Sequence, residues 1–419
     1  MIKRLSDEGF NIIGFPRLVR LNPNIPWKTR GNGAICFKIG KGKGKKTKIG
    51  EINKKEIFCY SNFSEIKDTT KIEKIVENTI NEFSWFEDDN TNSGFVLLKK
   101  QPNYKLYNKA VKDIISIDEI KNFLTTKKAV FKGYKNCRGL IGATSSIAWT
   151  PFKDRTFELI AYRRKKKWGS RRFVDDKSVK KMDVCFSSSF DNFDYFNNHN
   201  RLVPSSPCPI LFGIRGEVVD DLINAKKMIK SEEIDSWIIF ESNQGTDEHL
   251  QRKKIINVNP FESVILEGIV SSQPATIQGG HVIFKIKDET GEIDCAAYEP
   301  TKEFRHIVRD LIIGDKIVVY GGVREKPLTI NLEKIFIKNL KEKFVKVENP
   351  VCPKCGKHMK SKGKNQGFKC VKCKTRSDKP TIKKQKRMIH KSFYEVPVCA
   401  RRHLSKPLKR ISKQNHNAF

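Results

Sequence analysis

The chain has 419 residues, with 82 Lys+Arg against 47 Asp+Glu, a formal net charge of +35. That excess favours a polyanionic partner, nucleic acid or an anionic membrane surface, but no apolar run approaches the ~18–20 residues of a spanning helix, and the opening MIKRLSDEGFNIIGF lacks the apolar region of a signal peptide. Nucleic acid in the cytoplasm is the leading partner, and at roughly 150 residues per domain the length predicts about three domains.

Residues 1–255 alternate helical and strand signals, as in mixed α/β layers. In LVRLNPNIPWKTRGNGAICF (18–37) two apolar strands flank a turn rich in Pro, Asn and Gly. Its glycines, Gly31 and Gly33, let amides approach an anion, Asn32 lies between them, and Lys28 and Arg30 supply charge. The turn reads as a phosphate cradle or as a plain surface hairpin loop. KIGKGKGKKTKIG (38–50) is a Lys/Gly low-complexity run, predicted to be a mobile basic loop that touches RNA or is only solvated. NCRGLIGATSSIAW (136–149) reads as a Gly-rich turn into a packed helix, and TFELIAYRRKKKW (156–168) as a strand with a basic, aromatic tip.

In PCPILFGIRGEVVDDLINAKKMI (207–229) an apolar strand runs into Gly213-Ile214-Arg215-Gly216-Glu217 and then an amphipathic helix. That pattern predicts backbone amides and an arginine at a helix N-terminus, where anions bind. No GK[ST] follows, so this is no Walker motif, and many strand–helix turns of this kind hold no ligand. His249 and His281 are lone histidines, expected to be ordinary rather than catalytic.

Residues 261–340 read as five short strands with period-2 alternation, SVILEGIVSS (263–272), HVIFKIKD (281–288), EIDCAAYE (292–299), DKIVVYGG (315–322) and LTINLEKIFIK (328–338). A helical spacing, TKEFRHIVRDLII (301–313), separates the third from the fourth. Five strands with one helix there is the plan of an OB-fold, which binds single strands across the face of its second and third strands; a barrel used only as a spacer is the bland reading.

The odd total of eleven cysteines argues against a disulfide framework. Seven of them are scattered and read as small core hydrophobes. The other four, Cys352, Cys355, Cys370 and Cys373, form C-x2-C-x14-C-x2-C. Two such knuckles make a tetrahedral sulfur cage, the closed geometry of structural zinc, with a redox or iron–sulfur site as the alternative. Gly356 and Gly367 suit the knuckle turns. Residues 344–419 hold 22 Lys+Arg and 3 Asp+Glu, a tail expected to touch phosphates.

The words GFPRLVRLNPNIPWKTRGNGA (14–34), RGLIGA (138–143), FELIAYR (157–163), PCPILFGIRGE (207–217), GGHVIFKI (279–286), CAAYEPTKEFR (295–305), INLEKI (330–335), the four-cysteine stretch and FYEVPVCARRHLSKPLKR (393–410) together resemble the archaeal tRNA-isoleucine agmatinylcytidine synthetase family. The resemblance implies a kinase-like α/β domain (1–128), a ferredoxin-like domain (129–258), an OB-fold (259–343) and a zinc ribbon with a basic tail (344–419). It implies an ATP-dependent ligase that couples agmatine to the wobble cytidine of an isoleucine tRNA, by phosphorylating the cytosine 2-carbonyl oxygen and displacing that phosphate with the amine. Mg2+ would accompany ATP, and zinc would be structural. Lys28, Arg30, Arg215 and Glu217 would be catalytic, with Gly31, Asn32, Gly33, Gly213 and Gly216 around the nucleotide or cytosine. Arg401, Arg402, His403 and Lys406 would face RNA. The family pattern begins with a strand and an Asp-rich turn, Gly-Ile-Asp-Asp-Thr-Asp-Ser, ahead of a helix whose end corresponds to MIKRLSDEGFN. A start codon placed too late is the expected reason that the turn is missing. Loss of catalysis is the other reading, which leaves a non-catalytic tRNA- or single-strand-binding protein as the alternative function.

Overall fold

A computed structural model describes residues 1–27, 32–363 and 366–411. The front half is built on one six-stranded sheet, in the order Asn11–Arg20, Lys55–Ser64, Gly33–Ile52, Ile234–Ser242, Thr156–Arg163, Ile210–Gly216. The last three strands read as apolar runs because both their faces are covered. On one face Leu159, Phe212, Ile214 and Ile239 pack under helices Asp176–Cys185 and Val219–Met228. On the other, Leu18, Ile160, Ile238 and Phe240 pack with Ile2 of the first helix.

A second core gathers helices Tyr104–Lys112, Ile117–Thr126 and Gly139–Ala148 around Tyr107, Leu124, Leu140 and Trp149. Ser116 caps the middle helix by accepting from the Glu119 N–H at 3.1 Å, the S-x-x-E start signal. By packing, helix Gly139–Ala148 belongs with the front unit.

The Lys/Gly run is ordered strand. Gly33–Ile52 pairs with Asn11–Arg20 through its first half and with Lys55–Ser64 through its second. The expectation of a mobile loop fails because composition does not register cross-strand neighbours.

The five barrel strands fall at Ser263–Val270, Val282–Lys287, Glu292–Ala297, Lys316–Arg324 and Thr329–Asn339, with helix Phe304–Arg309 between the third and fourth. The first strand pairs with both the second and the fourth, and the fifth bridges the third and the fourth, which closes the barrel. Val264, Leu266, Phe284, Ile286 and Ile335 fill it. Phe393–Glu395, from beyond the ribbon, returns to pair with the fifth strand. Of the scattered cysteines only Cys59 and Cys295 are buried; Cys185 is exposed and the remaining four lie between. No helix among the described residues is long and apolar enough to cross a membrane.

Candidate functional site

The four cysteine sulfurs all lie within 4.8 Å of one another, Cys355 and Cys370 at 3.5 Å. At a Zn–S distance near 2.3 Å a tetrahedral cage puts its sulfurs just under 4 Å apart, so the donor set fits zinc and leaves no open position. Each knuckle closes on its own backbone. The Gly356 N–H donates to the Cys352 carbonyl at 2.9 Å, and the Lys374 N–H to Cys370 at 3.0 Å. Gly356 takes the left-handed φ of 69° that the turn requires. Gly367 does not serve a knuckle: it closes the hairpin between Lys360–Ser361 and Phe368–Lys369.

At the front, one buried carboxylate organises a group of cations. Glu158 lies 3.6 Å from Arg20 and 3.7 Å from Arg215. Gln244, oriented to satisfy both ends of its amide, donates to Glu158 at 3.2 Å and accepts from Arg215 at 2.6 Å. Arg215 and Glu158 stand opposite each other in the sheet. Gly213 leaves room for the acid, since a Cβ there would sit 3.2 Å from its Oε1. His403 is exposed at the edge of this group. The positive charge of Arg20, then of Arg215 and Arg201, holds its imidazole well below the ordinary range. Two guanidiniums beside one carboxylate, with a third, Arg201, near His403, leave a surplus of positive charge where the front sheet meets the C-terminal segment.

Sequence reasoning found Arg215 and Gly213 here and missed Arg20, Glu158 and Arg201. A signal for Glu158 was available: it is the only charged residue before Arg163 in the otherwise apolar Thr156–Arg163 strand.

The strand–helix turn is not an amide cradle. The strand runs through Gly216 and the helix begins only at Val219. The Gly213 N–H donates to Leu202 at 2.9 Å and the Glu217 N–H to Ser188 at 3.1 Å, while Asp220 and Asp221 occupy the first turn of the helix. Glu217 accepts from Arg410 at 2.9 Å.

Of the 28–33 turn, Lys28, Arg30 and Gly31 lie outside the described residues. Asn32 donates to the Asn22 carbonyl at 2.8 Å, and Gly33 pairs with Arg20. Preceding them, Asn22 and Asn24 donate to the carbonyls of Phe261 and Glu262, at 2.9 and 2.8 Å. This part of the loop tethers the front sheet to the barrel.

The C-terminal segment was expected to present Arg401, Arg402 and Lys406 to RNA. Instead their charge is used inside the protein. Arg401 pairs with Asp191 and Glu395, and Lys406 with Asp154 at 2.8 Å. Arg402 reaches Asn24 and lies 3.6 Å from Glu333. Glu333, fully buried, also meets His249 at 3.2 Å. Against the burial that raises it, His249, Arg402 and Lys334 hold Glu333 down to about 2. Of the four residues only His403 is exposed. His249 is thus part of a buried ion network, and His281 accepts from the Glu299 N–H at 2.9 Å.

An α/β front, a closed OB barrel and a basic zinc ribbon define a multidomain nucleic-acid-binding protein. Family profiles agree along the chain: the TiaS TCKD domain at residues 1–136, the TiaS FLD domain at 137–249, an OB-fold nucleic acid binding domain at 264–337 and the TiaS C-terminal zinc ribbon domain at 349–389. The tRNA(Ile2) 2-agmatinylcytidine synthetase TiaS of Methanocaldococcus jannaschii is 44% identical over 98% of this chain and 93% of its own length. That of Archaeoglobus fulgidus is 39% identical, covering 100% and 94%. The crystal structure of the TiaS–tRNA(Ile2)–ATP complex superposes with a TM-score of 0.83 at 39% identity, over 98% of this chain and 91% of that one. A complex with tRNA(Ile2), AMPCPP and agmatine gives 0.81 at 37%, over 98% and 91%. The chain belongs to the tRNA(Ile2) 2-agmatinylcytidine synthetase family.

Proposed function

We infer that this protein is an ATP-dependent ligase that attaches agmatine to the wobble cytidine of isoleucine tRNA. The observation that carries this reading is near-full-length similarity to relatives of that name, together with superposition on a complex that holds the tRNA, an ATP analogue and agmatine. In the reaction the terminal phosphoryl group of ATP passes to the cytosine O2. The primary amine then attacks C2, the C2–O bond breaks, and phosphate leaves with both electrons of that bond. Phosphorylation is needed because a carbonyl oxygen is a poor leaving group.

The surplus of guanidinium at Arg20, Arg201 and Arg215 is a suitable clamp for the phosphoryl group in transit. Arg215 and Arg20 are kept in place by Glu158, and Gly213 and Gly33 serve by being small. Glu217 acts at a remove, holding Arg410. Mg2+ would travel with the triphosphate. The acids near the clamp are committed to arginines, Glu158 as above and Glu241 to Arg155 and Arg17, so they do not form a ready Mg2+ cage, and no step is assigned to that ion.

The test is incubation with ATP, agmatine and tRNA(Ile2), using the chain alone and extended by the codons upstream of Met1. An agmatine-sized mass increment on the wobble cytidine is expected. ATP-independent tRNA binding with no increment in either form would instead select the non-catalytic reading.

A further inference from the structure

The inferred function accounts for the arginine group around Glu158, the barrel and the ribbon, but not for the lysine run of the front hairpin. Lys38, Lys41, Lys43, Lys45, Lys46 and Lys48 fall within eleven residues that contain no acid. The first five are exposed. Only Lys48 has carboxylate partners among the described residues, Glu51 and Glu56. Some exposed lysines elsewhere on the front half are matched, as Lys109 is by Glu119 and Lys71 by Glu8, whereas this strand sets five without a carboxylate partner among the described residues within nine positions.

This row of like charge is held in order by aromatic rings. The Lys38 ammonium sits 3.8 Å from the Phe63 ring centre and Lys46 3.8 Å from that of Phe58. The glycines between the lysines make room for the rings: a Cβ on Gly40 would sit 2.8 Å from Phe63, and one on Gly42 2.5 Å from Tyr60. Alternating glycine therefore lets Phe63 and Tyr60 lie across the lysine-bearing strand, and the strand holds its ammonium groups at fixed places. Uncompensated like charge on an ordered strand is destabilising by itself. It becomes favourable when a polyanion covers it and releases counterions.

We propose that the lysine-bearing stretch of this hairpin is an additional docking surface for the phosphodiester backbone of the tRNA substrate, separate from the OB barrel and the zinc ribbon. The proposal rests on the tRNA-modifying function inferred above and adds a sequence-independent contact to it.

The experiment measures the affinity of the full chain for tRNA(Ile2) and for an unrelated tRNA across a salt series, in wild type and in Lys43→Gln/Lys45→Gln/Lys46→Gln. The logarithmic salt slope is expected to fall by about one per lysine engaged, roughly two to three in all, with affinity lost equally for both RNAs. Because Lys46 touches Phe58, the double variant Lys43→Gln/Lys45→Gln, which leaves both ring contacts intact, is run alongside with an expected fall of about two. Wild-type binding with an unchanged slope in both variants would overturn the docking surface and leave the ligase reading standing. Altered binding to phosphatidylglycerol vesicles with unaltered tRNA binding would also overturn it. Failure of the wild type to bind either tRNA at low salt would remove the functional reading and this proposal with it.

Discussion

The C-terminal segment 401–410 and the hairpin run 38–48 carry five and six Lys+Arg respectively, yet the fold uses them in opposite ways. Arg410 is buried, bonded to Asp154 at 2.8 Å and to Glu217 at 2.9 Å, and donates to the Gly245 carbonyl. Arg401, Arg402 and Lys406 are likewise matched by carboxylates from the ferredoxin-like region, the barrel and the segment between ribbon and tail. The hairpin lysines stay in water, and five of the six face no carboxylate among the described residues. A cation with a buried partner holds domains together; a cation without one is free for phosphate. The high net charge of the chain is therefore the sum of two unlike populations.

The largest effect expected concerns the ribbon, the third basic region, whose small sheet stands on its metal. Purified protein should contain about one zinc. Chelation should release the amides of residues 350–377 to rapid hydrogen exchange while the barrel stays protected, since structural zinc contributes on the order of 10–16 kcal/mol. No zinc, with four freely titrating thiols, would refute the cage.

Next is Arg410→Ala, which takes the buried guanidinium from Asp154 and Glu217, leaves Asp154 to Lys406, and should cost about 3 kcal/mol in denaturant unfolding. A loss under ~1 kcal/mol would mean that the clasp is no more than a surface contact and would break the comparison.

Glu333 sharpens it by pH. Its folded value near 2 lies below its ordinary 4.5, so its contribution is present above pH 4.5 and is lost as pH falls from 4.5 to 2. The magnitude is on the order of 3 kcal/mol. Glu333→Gln should be less stable at pH 7 and show a flatter acid limb in that window; an unchanged limb would assign the acid sensitivity elsewhere.

Smaller again, Gly42→Ala should cost about 1–3 kcal/mol by crowding Tyr60. Adding Tyr60→Ala should suppress that cost in a double-mutant cycle. Additive losses would favour the mobile loop that composition suggests. The smallest change is in Lys43→Gln/Lys45→Gln, which should move stability by less than ~0.5 kcal/mol while altering RNA affinity. A large stability loss there would erase the distinction between the two populations.

Legibility followed the range of the interactions. The barrel strands were visible because each alternates inward and outward residues within itself, as 282–287 does with Val282, Phe284 and Ile286 buried. The zinc site was visible because all four ligands lie within 22 residues. The turn at 213–217 misled because a strand end and a helix start are hard to separate by pattern, and the helix begins three residues past Gly216. Glu158, Arg20 and Arg201 were invisible as a group because 138 residues separate Arg20 from Glu158, and nothing local marks their meeting.

Sequence alone determined the periodicities of the barrel, the sulfur spacing and the surplus of basic residues, all properties of neighbours along the chain. Only the tertiary structure decided which of those basic residues are spent. Burial beside an acid depends on what the fold brings from more than a hundred residues away, as with Arg410 and Asp154. Desolvation makes such a pair obligatory, whereas a lysine left in water remains available for RNA.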